Sequence, residues 1–470
     1  MISQPPLFSR RQALTTVSSG IGWLAFSALA HQAAAKGGLA ARTPHFPARA
    51  KRVIFLTMRG GPSHVDLFDY KPELIKRNGQ SASLGRDSAG AKLFGPVHPF
   101  SQHGQSGQWI ANIYPEIAKH ADDLCIINSM HTDLPNHAQA FVQMHTGSFQ
   151  FVRPSLGAWT LYGLGTENDN LPGFITLNPP ADNGGSQNYG SAFLPAIHQG
   201  TKIGGSQLPD LYAAFLKTDV APGPPMKNIA NTKVTRSMQR AQLDLIRGLN
   251  QHKLEREVFQ PEIEGAIESL ELAFRMQTEV PDVLDMRGEP DSIRKLYGIG
   301  QGKDQFARQC LLARRLAEAG VRFIEIAAPA NWDHHNLLRD NLTKSCEATD
   351  RPIAALLTDL KARGMLKDTL VVWGGEFGRT PYAQSGDGRD HNHKGYSIWM
   401  AGGGVKGGLT YGATDEIGYK ASVNPMHIHD WHATILHLLG LDHTQLTYNY
   451  GGRDFRLTNV SGNVAAGILA

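Results

Sequence analysis

Apolar and polar positions follow two rhythms along this chain. Short, nearly continuous apolar runs stand at Arg52 to Met58, Leu124 to Met130, Gly173 to Asn178, Val321 to Ala327, Thr369 to Trp373 and Tyr396 to Ala401. Such runs, rich in β-branched and aromatic residues, predict strands, and their lack of polar alternation predicts burial on both faces. Between them, Asp304 to Ala319 and Thr343 to Arg363 carry apolar residues at helical spacing and each stops at a glycine, Gly320 and Gly364. A left-handed glycine is a common helix terminator. Strands alternating with helices predict an α/β fold with a mainly parallel central sheet flanked by helices. Such sheets carry their chemistry on the loops leaving the carboxyl ends of the strands.

Two stretches break the rhythm. Asp182 to Gly205 is rich in Gly, Ser and Asn and predicts a long surface loop. Asn231 to Gln277 predicts an amphipathic helical pair, with Leu243, Ile246, Leu249, Ile263, Ile267, Leu270 and Phe274 as its apolar stripe. It reads as a helical insertion (231–277) packed on the main domain.

The N-terminus changes the picture. Ser9-Arg10-Arg11-Gln12-Ala13-Leu14 precedes an uncharged, mildly apolar stretch from Val17 to Ala35. An arginine pair before a weakly hydrophobic run predicts a twin-arginine signal peptide over residues 1–35, read by the twin-arginine translocase. The chain is then exported, to the periplasm or beyond the cell. Gly20, Gly22 and neighbouring serines dilute the segment against a membrane anchor, and Ala33-Ala34-Ala35 offers a cleavage site. No later stretch reaches the roughly 18 apolar residues of a membrane helix. A Pro- and Ala-rich linker (36–50), the α/β domain (51–460) and a C-terminal tail (461–470) complete the predicted organisation.

Composition excludes several classes. With 46 Lys and Arg against 42 Asp and Glu the formal charge is +4, and loss of Arg10 and Arg11 with the signal leaves +2. That is no electrostatic footprint for nucleic acid. Three cysteines, Cys125, Cys310 and Cys346, exclude a disulfide framework and read as buried thiols.

Histidines and carboxylates cluster just after or before the predicted strands. Gly60-Gly61-Pro62-Ser63-His64-Val65-Asp66 follows the first, where glycines let the backbone turn tightly. Asn331-Trp332-Asp333-His334-His335-Asn336 follows the strand ending at Ala327; residues two apart in an extended segment face one side, so Asp333 and His335 can grip one metal ion. Gly374-Gly375-Glu376-Phe377-Gly378-Arg379-Thr380 delivers a carboxylate and an arginine at a strand end, a ligand and an anion clamp. Gly388-Arg389-Asp390-His391-Asn392-His393-Lys394 precedes the strand from Tyr396, and its His-x-His presents two imidazoles on one face if extended. Leu134-Pro135-Asn136-His137 opens a helix ending at Thr146-Gly147, and a helix start attracts anions, so His137 can meet a phosphate or sulfate. Met426-His427-Ile428-His429-Asp430 opens another, with Asp430 as N-cap and His427 or His429 near the site.

These motifs, with the ending His429-Asp430-Trp431-His432-Ala433-Thr434-Ile435-Leu436-His437-Leu438-Leu439-Gly440-Leu441-Asp442, resemble the domain-of-unknown-function 1501 family, exported relatives of the sulfatases in the alkaline-phosphatase-like superfamily. The resemblance covers essentially the whole mature length. It implies a sulfatase-like fold and one divalent ion, Zn, Mn, Fe or Ca, held by Asp333, His335, Glu376 and His391 or His393, with His64 and Asp66 from the first loop as further ligands. The sulfatase nucleophile position falls on or next to His137, where neither Cys nor Ser stands, and Met58 and Arg59 replace the metal-binding Asp at the end of the first strand. A covalent serine or formylglycine step is therefore not implied. The expected activity is metal-dependent hydrolysis of phosphate or sulfate esters, with an extracellular polysaccharide among the candidate substrates. Arg379 and Lys394 would neutralise the anion, and either a water activated by the ion would attack or His137 would act as base or nucleophile. The other reading is a non-catalytic binding or matrix-associated protein on the same fold.

Overall fold

The computed structural model describes residues 39–470 except 83, 85–87, 205–232, 255–260, 301–303 and 330; the expected signal peptide lies outside the described residues. All six predicted strands form, and all lie in one sheet. In chain order the sheet strands and the hairpin beside them are β1 Arg52–Thr57, β2 Leu124–His131, β3 Phe174–Leu177, β4 Thr201–Ile203, β5 Phe323–Ala327, β6 Thr369–Gly374, β7 Gly378–Gln384, β8 Gly388–Asn392, β9 Tyr396–Ala401, β10 Leu409–Tyr411 and β11 Met426–His427. The sheet runs β10-β2-β9-β6-β1-β5-β3-β4, with β11 paired to the far end of β2.

The three strands at its centre are buried almost throughout, so their sequences, RVIFLT, FIEIA and TLVVWG, lack polar alternation. In register, Leu56 lies between Ile326 and Trp373. Every pairing from β6 through β1, β5 and β3 to β4 is parallel. Only β9 runs against both its neighbours, β2 and β6. The cause is the connection: between β6 and β9 the chain folds a short antiparallel hairpin, β7 and β8, instead of a helical crossover, and so returns beside β6 in the opposite sense. The carboxyl ends of β1, β2, β5 and β6 and the start of β9 therefore share one edge.

Helices α1 His137–Thr146, α2 Arg236–Leu254, α3 Pro261–Leu284, α4 Gln305–Glu318, α5 Leu338–Ala362 and α6 Ile428–Leu438 surround the sheet. The first closes on left-handed Gly147, as its sequence implies. Helix α5 starts five residues before the predicted Thr343, directly after Leu337, whose φ of 46° turns the chain out of the metal-motif loop.

Three local expectations are corrected. Asp182 to Gly204 is not a bare loop: it holds two short 3-10 turns and the edge strand β4. The face that α3 buries is Leu272, Met276, Val280 and Leu284, one turn apart, while Leu249 and Leu270 are exposed. The N-cap of α6 is His427; Asp430 sits three residues on and takes the His427 backbone N–H, closing a capping box. In segment 461–470, the expected C-terminal tail, Ile468 is fully buried and Lys406 donates its backbone N–H to the Ile468 carbonyl. Likewise Leu39 and Ala50, within the expected linker, are buried against the domain. Among the described residues no helix is long and apolar enough to cross a membrane.

Two core histidines make stability acid-sensitive. Burial, and then the charge of His429, push the pKa of His432 down to about 3, while burial and Arg42 do the same for His198. Both folded values lie below the unfolded value of about 6.5, so the unfolded chain binds more protons and stability is lost as pH falls through and below 6.5. Asp350 works in the opposite sense, since burial raises it to about 6. Unfolding free energy should fall between pH 6.5 and 5, and His432→Asn should flatten that slope by up to about 1.4 kcal/mol per pH unit. A slope unchanged by the substitution would contradict this assignment.

Candidate metal centre

At the shared edge, His137, Asp333, His335 and His391 each turn one ligand atom toward a common point, all within 4.8 Å of one another. They come from three places: the first residue of α1, the loop after β5 and strand β8. The loop is anchored by Trp332, which is buried and packs edge-on to Trp373 with ring centroids 6.3 Å apart. Two glycines permit the approach. A Cβ on Gly60, whose φ is 105°, would strike the backbone of Trp332 and Asp333, and one on Gly388 would overlap the His335 carbonyl. His334 turns the other way, buried, with Nε2 3.3 Å from the Ser345 hydroxyl.

The hydrogen bonding of the three imidazoles is uniform. His137 Nδ1 lies 2.6 Å from Glu376 Oε1, His391 Nδ1 lies 2.7 Å from the Pro135 carbonyl, and His335 Nδ1 contacts Gln384 Oε1. A carboxylate, a carbonyl and an amide oxygen only accept, so each Nδ1 is the donor and each Nε2 lone pair is left for the centre. There, His335 Nε2 and His391 Nε2 stand 3.0 Å apart, and Asp333 Oδ1 is 3.1 Å from His137 Nε2, 2.8 Å from His335 Nε2 and 3.3 Å from His391 Nε2. A tetrahedral ion with ligands at 2.0–2.1 Å has ligand-to-ligand edges of about 3.3–3.4 Å, close to these separations. His137 Nε2 is buried and, though near Asp333, is out of line for a hydrogen bond to it. The residues therefore fit a divalent ion, with three imidazoles and one carboxylate to hold it.

Electrostatics agree. Burial would raise the Asp333 carboxyl, but His137, His391 and Arg379 outweigh it and hold the group well below the usual carboxylate range. Burial disfavours the His137 imidazolium, yet Asp333 and Glu376 more than offset it and push its pKa up to about 9. That proton sits where a cation would.

Other predicted site residues are placed elsewhere. Glu376 is fully buried one step behind the centre, where it accepts from His137 Nδ1 and, at 3.0 Å, from the Gly60 N–H. That places Glu376 outside the four-residue group, as the partner that orients His137. Glu376→Gln should weaken metal affinity by about 10–100-fold without loss of fold; unchanged affinity by calorimetric titration would refute the role. Arg379, expected as an anion clamp, is buried, its guanidinium bonded to the carbonyls of Gly60, Gly61 and Arg389 and, at 2.5 Å, to Asp333. Lys394 Nζ bonds the Tyr419 hydroxyl at 2.8 Å and lies over that ring. Asp66 pairs with Arg389 at 2.7 Å, both completely buried. His64 Nε2 meets the Gly418 carbonyl at 2.7 Å. His393 lies outside the four-residue group, its carbonyl accepting from the Thr132 N–H. The reading from sequence gave His137 a chemical role but did not place it in the four-residue group; a histidine at the first position of a helix leaving the same sheet edge was the available signal.

Fold and site define an α/β protein with a candidate three-histidine, one-carboxylate metal centre at the carboxyl edge of a mainly parallel sheet. The chain belongs to the DUF1501 family, described as a protein of unknown function, whose model matches residues 50–469. No curated protein matches the sequence. It is similar to three solved structures among others. The lipoteichoic acid synthase LtaP from Listeria monocytogenes is 11% identical over 89% of this chain and 78% of that one, with a TM-score of 0.37. The sulfatase PsFucS1 from Pseudoalteromonas sp. is 14% identical over 89% and 71%, at 0.34. The phosphonate monoester hydrolase SpPMH from Silicibacter pomeroyi is 12% identical over 88% and 78%, at 0.34.

Proposed function

We propose that this protein is an exported, metal-dependent hydrolase of phosphate or sulfate esters. The observation that carries the reading is the set of three imidazoles whose Nδ1 atoms are tied outward and whose Nε2 atoms converge on Asp333. A purely structural ion is closed off by its protein; here each of the four side chains keeps 18–35% of its surface in solvent, so a ligand can reach the centre. A bound divalent ion would polarise an ester oxygen and make a neighbouring water more acidic. Zn, Mn and Fe suit this donor set better than Ca, which prefers oxygen ligands throughout.

The chain's own residues supply the rest. Glu376 fixes the tautomer and angle of His137, and Arg379 holds Asp333 from behind with its charge already committed. The anionic ester then needs another cation, and we assign that role to Arg59, whose carbonyl accepts from the Trp332 N–H next to Asp333. It stands two residues after β1, is partly exposed, and its partner Asp182, at 2.5 Å, is a solvent-exposed carboxylate that an incoming anion can replace. Loading the purified chain with Zn, Mn or Fe in turn and assaying aryl sulfates, aryl phosphates and aryl phosphonates tests the reading. Turnover of one class that disappears with chelation, and falls at least tenfold in Arg59→Ala, is expected. A fully loaded protein inert toward all three classes would leave a binding protein on this fold.

A further inference from the structure

Beside the C-terminal half of α1 lies a cleft of about 240 Å3, floored by Gln143, Thr146 and Gly147 and walled by aromatic and basic side chains. Phe193, in the wall, packs on Phe455 at 5.1 Å and stacks on Tyr450, which stands beside the lining rather than in it, ring centroids 5.1 Å apart with planes 17° from parallel. The Arg153 guanidinium lies 4.5 Å over Phe455 and 5.0 Å over Phe151, and Arg453 covers the other ring contact of Phe455 at 4.8 Å. Phe151 and Tyr450 are more than half exposed, at 59% and 56%. Aromatic surface of this extent, left in water and rimmed by charge, marks a recognition site more often than a packing residue.

The charge is unbalanced. Arg153, Arg453 and Arg456 donate to the Val152 carbonyl, Asn459 Oδ1 and the Asn459 carbonyl, and among the described residues none of the three pairs with a carboxylate. Arg153 and Arg453 are close enough that the second, after burial, lowers the proton affinity of the first. The one acidic residue lining the cleft, Asp133, is already engaged by Gln143 and His427. Guanidinium groups present planar pairs of donors suited to sulfate, phosphate and carboxylate, while phenyl and phenol faces take the C–H bonds of a sugar ring. Helix α1 links this cleft to the metal centre: His137 stands at one end and Thr146 at the other, nine residues or about 13.5 Å apart.

We propose that this cleft is a subsite for an anionic glycan, with sugar rings on the exposed Phe151 and on Tyr450 beside the cleft, and the anionic groups on Arg153, Arg453 and Arg456. A chain lying along α1 reaches the metal centre. That link to catalysis rests on the ester-hydrolase reading; binding in the cleft does not.

The test is a titration of the metal-stripped full chain with fluorescently labelled dextran sulfate oligosaccharides, against neutral dextran and polyglutamate of similar length. Saturable binding of the sulfated sugar is expected, at least tenfold weaker in Arg153→Ala and Arg453→Ala and several-fold weaker in Tyr450→Ala, with neutral dextran unbound. Tyr450 is exposed, so its variant keeps the proposal testable if an arginine variant fails to fold. Wild-type affinity in all the variants, absence of binding to the wild type, or polyglutamate bound as tightly with Tyr450→Ala unaffected would overturn it, the last marking a patch for acidic proteins. Glycan binding without any ester turnover would count against the hydrolase reading alone, and turnover without glycan binding against the subsite alone.

Discussion

Asp333→Ala is expected to abolish metal binding, lowering affinity by more than a hundredfold, whereas His334→Gln, one residue along, should leave it unchanged. Asp333 Oδ1 is the atom on which all three Nε2 atoms converge, so its loss removes a ligand and the negative charge that offsets the ion. Second-layer partners alone are worth about 10–100-fold, and a ligand lost from the centre should exceed that. The same substitution strips Arg379, buried at the centre's back wall, of its carboxylate, and a hydrogen bond to a charged group contributes about 1.5–3 kcal/mol. The variant should therefore be less stable even without metal. Metal content after dialysis, with unfolding curves in chelator, checks both halves; equal metal content in Asp333→Ala and wild type would remove Asp333 from the ligand set.

Asp66→Asn should destabilise the fold by about 3–5 kcal/mol, the usual cost of leaving a buried charge uncompensated. Burial would raise the Asp66 carboxyl, but Arg389, Ser63 and the Val97 N–H outweigh it and keep it ionised. Arg389 spends all its donors there, two on Asp66 and the rest on the carbonyls of Phe94, Gly95 and Thr380. It also stands two residues before His391 on β8, so the pair fixes the hairpin that carries His391. Replacing both partners with apolar residues should recover much of the loss, because no lone charge then remains. A cost under about 1 kcal/mol for Asp66→Asn in denaturant titration would mean that Arg389 finds other compensation.

The central strands were legible because burial on both faces leaves them without polar alternation, as in TLVVWG of β6 and YSIWMA of β9. The β7–β8 hairpin was not, since GRTPYAQ and GRDHN are polar segments with a proline that pair with each other and, through Tyr382, with Leu93, outside the sheet. Its existence decides that β9 is antiparallel, a feature no local pattern announces.

The site divides in the same way. Asp333 and His335 were readable as alternate residues of one extended loop, and His391 as part of a motif entering the same edge. What the chain alone did not reveal is which polar side chains face the common point and which face the interior. Asp66 meets Arg389 across 323 residues of sequence, and Arg379 meets Gly60 across 319. A carboxylate beside glycines at a strand end reads alike whether it will bind an ion, as expected for Glu376, or hold the histidine that does. The His137 side chain was visible as chemistry but not as a ligand, because its partners come from the loops after two other strands.

The central claim is that His137, Asp333, His335 and His391 hold one divalent ion. X-ray absorption at the metal edge, on the wild-type chain loaded and dialysed to constant metal content, tests it most directly. One ion per chain, with a first shell of nitrogen and oxygen and the multiple-scattering signature of three imidazoles, is the predicted result. A chain that retains no ion, or an ion in an all-oxygen shell without imidazole scattering, would contradict it.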